Sequence, residues 1–247
     1  MKRTQVKKKS KQGSLLAACF LVSAAVVAAG QARQQTPAPA LPATYSDPVL
    51  KAMGDELNRS ITQLKLNDLD KPYFIQYTVY DDEDFKASAT FGSLTRTSPS
   101  HDRVVHAQVR VGDYDFDNTG FAGGRGGGGG STGAGLQTTL DDDYDALRHS
   151  LWLATDAAYK SAVETIAQKR AYTQNRTQQE DPVPDFSKEK ATVAFSPKMK
   201  MQLERAKVET QLRELSKIFR DFPAVQTSSV TYHARLNHRY IVNSEGT

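Results

Sequence analysis

Ten residues, Arg103 to Gly112 (RVVHAQVRVG), constrain the fold of this chain more than any others. Val105, Ala107, Val109 and Val111 alternate with Val104, His106, Gln108 and Arg110. A period of two sorts side chains onto opposite faces only in an extended strand, so the segment predicts a half-buried strand. Two neighbours share this character. Pro72 to Tyr80 (PYFIQYTVY) is aromatic and β-branched. Residues 86–96 (KASATFGSLTR) read as a second strand. Between them Asp81–Asp84 reads as an acidic turn, and Pro99 with Ser100 as a break. Three consecutive strands with short connections predict an antiparallel meander.

Helical periodicity frames this block. Asp47 can accept from orphan N–H groups and Pro48 suits a first helical turn. Leu50, Met53, Leu57, Ile61 and Leu64 then give one apolar face, predicting a helix over 48–65. Asp141, Asp142 and Asp143 suit the positive end of a second helix. Its stripe runs through Tyr144, Leu147, Leu151, Ala154, Ala158, Ala162 and Ile166 to about residue 170. His149 lies off that stripe. Residues 173–187, with Pro182 and Pro184, read as a loop. Ser196-Pro197 predicts a third helix, with Met201, Val208, Leu212, Leu215, Phe219 and Phe222 on its buried face. Residues 225–236 and 239–243 read as two strands around a tight turn at Asn237-His238. Strands and helices come in runs. That predicts an α+β two-layer sandwich, a largely antiparallel sheet packed against long helices.

Charge is unevenly placed. The 247 residues carry 32 Lys+Arg and 28 Asp+Glu, a net +4. Residues 1–32 hold six of the cations, no acid and the single cysteine, Cys19. A basic start, an apolar run from Leu15 to Ala29 and small residues through Ala32 form the layout of a signal peptide. An uncleaved anchor is the alternative, although about 20 apolar residues are needed to span a bilayer. Leu16-Ala17-Ala18-Cys19 looks like a lipoprotein box, but few apolar residues precede it. Residues 33–46, rich in Pro, Ala and Gln, are expected to be a disordered linker. Removing the signal leaves a net −2 and no thiol. Disulfides, thiolate metal sites and cysteine nucleophiles are then excluded. Nucleic acid is not an expected partner, because the remaining cations alternate with acids (Lys198, Lys200, Glu204, Arg205, Lys207, Glu209). No stable membrane span is expected after cleavage, and the expected location is periplasmic or secreted.

Catalytic motifs are scarce. The five histidines, His101, His106, His149, His233 and His238, form no H-E-x-x-H pair. His233 and His238 face each other across the expected turn, where packing or solvated roles outrank a metal site. Asp113, Asp115 and Asp117 (DYDFDNTG) resemble the start of a calcium loop. An EF-hand needs Gly sixth and Glu twelfth, and Asn118 and Gly124 stand there. The glycine-rich run 122–135 (AGGRGGGGGSTGAG) lacks the Lys-Ser/Thr ending of a phosphate loop and reads as a flexible insertion. No residue is assigned a catalytic, cofactor-binding or metal-ligating role.

An ordered series of segments resembles the TldD/PmbA family of metallopeptidases, also described as modulators of DNA gyrase. They are DPVLKAMGDEL (47–57), PYFIQYTVYDDED (72–84), ATFGSLTRT (89–97) and VRVGDYDFDNTGF (109–121). LDDDYDALRHSLWLATDAAYKSAVETIAQKRA (140–171), RELSKIFRDFPAVQTSSV (213–230) and RYIVNSEGT (239–247) complete it. The likeness is nearest to an exported Gram-negative branch and covers nearly all of 47–247. It implies the family's N-terminal two-layer α/β domain, truncated before the C-terminal domain. In TldD-type members a zinc motif, H-E-x-x-x-H, lies in that missing part. PmbA-type members lack it and act as partner subunits. The resemblance therefore implies a fragment inactive alone, zinc outside the fragment, a peptide substrate and a homo- or heterodimer. A non-enzymatic periplasmic binding or scaffold module is the alternative.

Overall fold

A computed structural model of the chain describes residues 47–66, 69–121, 135–174 and 183–246. The expected signal and linker lie outside the described residues, as does the glycine-rich insertion except Gly135. All described residues fall within one compact unit, Ala38–Thr247.

Helix α1 spans Pro48–Gln63. Asp47 caps it, its Oδ1 accepting from Val49 N at 2.8 Å and Leu50 N at 3.2 Å. Two strands of 19 residues follow, β1 (Pro72–Thr90) and β2 (Ser93–Val111). They meet at a two-residue turn, Phe91-Gly92, where φ is positive at both positions (43° and 80°). That is the sense of turn that matches strand twist, and glycine adopts it without strain. A short β3 (Leu136–Gln137), helix α2 (Tyr144–Gln174), helix α3 (Arg205–Lys217) with a 3₁₀ turn at Ile218–Asp221, and β4 (Val230–Asn243) complete the order. The sheet is wholly antiparallel in the order β3-β2-β1-β4. The α+β class is as the sequence predicts.

One face of the sheet carries the core. Ile75, Tyr77 and Val79 of β1 and Val105, Ala107, Val109 and Val111 of β2 are buried against Val49, Met53 and Leu57 of α1 and Leu147, Leu151, Ala158 and Ile166 of α2. The alternation read in 103–112 is the observed one. Farther along β1, Phe85, Ala87 and Ala89 keep the same parity and pack on Val208 and Leu212 of α3. A bulge beside Ala89 skips Thr95, so that Leu94 rather than Thr95 meets this second cluster.

Several local expectations are corrected. Residues 86–96 are not one strand: the Phe91-Gly92 turn divides them between β1 and β2, so two long strands stand where three short ones are expected. Leu215 and Phe222 are exposed rather than part of a buried helix face. Asp81–Asp84 is not a turn but the middle of β1, because each strand neighbour supplies partners that a linear reading does not reveal. Pro99 does not break β2. It lies opposite Phe85 on a stretch that β3, paired only at Val104 and Val105, does not reach, so no ladder N–H is needed there. Asn237 and His238 are not a turn; they pair with Asp82 and Asp81 in one continuous β4. Residues 196–204 are not helical, and α3 begins only at Arg205. Met201 and Leu203 reach the second cluster from extended chain instead.

The division of α2 into faces can be tested by truncation. Leu151 is 1% exposed and its neighbour Trp152 is 42% exposed. Leu151→Ala should lower the unfolding free energy by about 3 kcal/mol, within the range for buried leucines. Trp152→Ala should change it by less than about 1 kcal/mol. Urea titrations that reverse this order would contradict the packing.

Candidate functional site

The acidic run sits where the two apolar clusters meet. Asp81 is buried beside Arg103, its cross-strand neighbour. Arg103 Nη2 lies 2.6 Å and Nε 3.1 Å from Asp81 Oδ2. His101 Nε2 lies 2.6 Å from the other oxygen. Arg103 also reaches Asp142 at 2.9 Å and donates to the carbonyls of Thr139 and Asp141. This fixes the approach to α2, which Asp143 then caps by accepting from Ala146 N at 2.8 Å. Burial pushes the Asp81 carboxyl up, but bonds from Arg103 and His101 outweigh it and hold it below its ordinary 3.8. On the opposite face, Asp84 is paired with His233 at 2.5 Å and Arg235 at 3.0 Å, and Asp82 accepts from Asn237.

The DYDFDNTG loop forms a second polar centre. Buried Asp117 accepts from Tyr73 Oη and Arg110 Nη1, each at 2.8 Å, and from the backbone and hydroxyl of Thr119. Burial raises the carboxyl; the Thr119, Tyr73 and Arg110 donors outweigh it and lower it overall. Asn118 continues the edge of β2, accepting from Val111 N at 2.8 Å and donating to Val109 O. Lys169 of α2 places its ammonium against the carbonyls of Asp117 (3.0 Å) and Thr119 (2.8 Å) and the carboxylate of Asp185. A side-chain cation thus meets the carbonyl oxygens of this loop, while the Asp113 carboxylate accepts from the backbone of Asp115 and Phe116. Arg110 is stacked on Phe186, 3.8 Å from its ring centroid. Phe186 and Asp185 bond back to the loop through Tyr114 O and Asp115 O.

The sheet face away from the helices holds a recess of about 310 Å³ lined by Gln76, Thr78, Tyr80, His106 and Gln108. Its groups are amides, hydroxyls and an imidazole, with the His106 ring edge-on to Tyr80 at 5.6 Å. Such a surface can exchange hydrogen bonds with a polar ligand. The sequence shows these residues only as the polar half of an alternation, with no spacing that marks a site.

The histidines do not converge. His233 and His238 are five apart on one strand, an odd spacing that sends them to opposite faces. His238 instead accepts from Met199 N at 3.1 Å. His149 stacks on Trp152 at 5.8 Å on the outer side of α2. Among the described residues no group of three or more His, Cys, Asp or Glu side chains could hold a metal ion. None of their helices is long and apolar enough to cross a membrane.

No protein-family profile and no curated protein matches the chain. Solved structures do. TldE from Thermococcus kodakarensis is similar over 79% of this chain and 35% of its own, with 11% identity and a TM-score of 0.38. A Thermotoga maritima protein described as a "putative modulator of a DNA gyrase" is similar over 78% and 36%, with 13% identity and a TM-score of 0.39. The chain thus spans about a third of the length of these proteins.

Asp81→Asn tests the central ion pair. It leaves the buried Arg103 with only the half-exposed Asp142 as a carboxylate partner, which should cost about 3 kcal/mol of unfolding free energy at pH 7. The folded carboxyl titrates below its unfolded value, so its stabilisation is present above that value and is lost as pH falls through the folded one. The wild-type advantage should therefore shrink below about pH 4. Equal stability at pH 7 would contradict the role given to Asp81.

Proposed function

We propose that this chain is the N-terminal part of an exported TldD/PmbA-like protein, either a zinc metallopeptidase or the non-catalytic partner subunit of one. Its role is to help enclose an extended peptide and to support dimer contacts. The reading is supported by the ordered series of segments from DPVLKAMGDEL to RYIVNSEGT. The observation that carries the peptide role is the outer edge of β4, 14 residues long and unpaired by any other strand among the described residues. A peptide adding to such an edge gains main-chain hydrogen bonds regardless of its sequence.

Zinc would supply an activated water for hydrolysis. The described residues do not fit it: His101 is bonded to Asp81, His233 to Asp84 and His238 to Met199. No catalytic step is therefore routed through this chain, and on this reading the zinc motif lies in another part of the protein. The recess of amides, hydroxyls and an imidazole on the open sheet face favours a second reading, a non-enzymatic periplasmic binding or scaffold module.

One measurement separates the peptidase from the other readings, and a second tests the inactivity of this chain alone. The open reading frame past codon 247 should encode H-E-x-x-x-H if the parent is the peptidase, and no such motif if it is a partner subunit or scaffold. The purified chain alone should leave casein intact with or without zinc. Zinc-dependent cleavage that disappears in His233→Ala or His238→Ala would overturn the assignment.

A further inference from the structure

Among the described residues the sheet ends at β4, so one side of this 14-residue strand pairs with β1 and the other with no strand. A strap of irregular chain, residues 188–204, meets the helix-side face of β4 and not this edge. There Met199 N–H donates to the His238 imidazole at 3.1 Å, and the Lys198 ammonium lies 5.9 Å from the Tyr240 ring centroid. An unpaired edge of this length offers backbone donors and acceptors to any extended segment.

Charge decides which segment fits. From Val230 to Asn243 the strand holds His233, Arg235, His238 and Arg239 and no acid. Cross-strand pairing sets Arg235 beside Asp84 and Arg239 beside Tyr80, so both arginines stand on the open face, away from the helices. The Arg235 side chain is 59% exposed, and its one carboxylate partner, Asp84, is shared with His233. Arg239 is exposed, and its side chain has no ion-pair or hydrogen-bond partner among the described residues. A guanidinium stays charged at any physiological pH and offers five donors. The acids nearest to these arginines on that face, Asp82 and Asp84, stand on β1, one strand inward. A segment added outside β4 meets the arginines first, at cross-strand Cβ separations of about 5 Å.

A second copy of the strand cannot supply the counter-charge. β4 carries no acid, and antiparallel pairing about Asn237 would set Arg235 against Arg239. Like charges placed so oppose pairing of an edge with itself. A partner with carboxylates at the matching spacing meets attraction instead.

We propose that the outer edge of β4 selects extended acidic segments, with two carboxylates four residues apart opposite Arg239 and Arg235. Leu236 and Tyr240, on the other face, are partly buried and suit apolar residues on the segment's other side. The inference rests on the edge-pairing reading above and adds to it the class of peptide.

The probes are fluorescein-labelled TVETTVETT and TVKTTVKTT, titrated against the full chain by fluorescence anisotropy at low ionic strength. The acidic peptide should bind about tenfold tighter than the lysine peptide, and added salt should narrow the gap. Arg239→Glu should weaken the acidic peptide about tenfold and strengthen the lysine peptide, an exchange that loss of folding cannot produce. Two further acidic peptides, N-methylated at odd or at even positions, report the pairing. A strand adds through one edge, so one form should lose binding and the other keep it. Equal affinity of the acidic and lysine peptides, with one methylated form still inactive, overturns the acidic selection and leaves the edge reading standing. Equal affinity of the two methylated forms, or no binding by any peptide, overturns both.

Discussion

The sheet depends on one buried charge pair, Asp81 with Arg103. It sits midway along two 19-residue strands, between the cluster under α1 and α2 and the smaller cluster under α3. Taking two charges out of water costs several kcal/mol, which only close geometry and further hydrogen bonds offset. Both are present here. Arg103 is shared between Asp81, Asp142 and the carbonyls of Thr139 and Asp141, and Asp81 is also bonded to His101. Thr138 N–H donates back to Arg103 O at 3.0 Å, so the same residue anchors the segment leading into α2. A single arginine thereby joins β1, β2 and the start of the long helix.

The loop after β2 follows the same physical rule. Asp117 is buried with four donors, and the oxygens around it are neutralised by Lys169 rather than by an external ion. The buried carboxylates Asp81 and Asp117 both take their donors from within the chain, several of them distant in sequence. Tyr77 is another case. Its hydroxyl lies 2.6 Å from Thr155 and 3.3 Å from Ser60, tying α1, α2 and β1 together, and burial pushes its phenol up to about 12.

This explains which parts of the fold could be read from the sequence. Asp47-Pro48 and Asp143 mark helix starts through contacts two or three residues away, so the two longest helices were legible. Val105 to Val111 gave the buried face of β2 because alternation is also local. Asp81 to Asp84 looked like a turn because its stabilising partners, Arg103, Asn237 and Arg235, are between 22 and about 155 residues distant. Ser196-Pro197 carried a true helix-start signal, but the strap's contact with β4 and the packing of Met201 and Leu203 outweighed it. The open-face recess was invisible for a simpler reason. Gln, Thr, Tyr and His on the polar side of a strand look the same whether they line a site or meet solvent.

Backbone amide hydrogen exchange at Asp81–Asp84 tests the account most directly. A continuous β1 with strands on both sides predicts that amides here are protected to the same degree as those of Tyr77 and Val79. Exchange as fast as at the Phe91-Gly92 turn would mean that the acidic run is a turn after all. The pairing of Asp81 with Arg103 could not then organise the sheet.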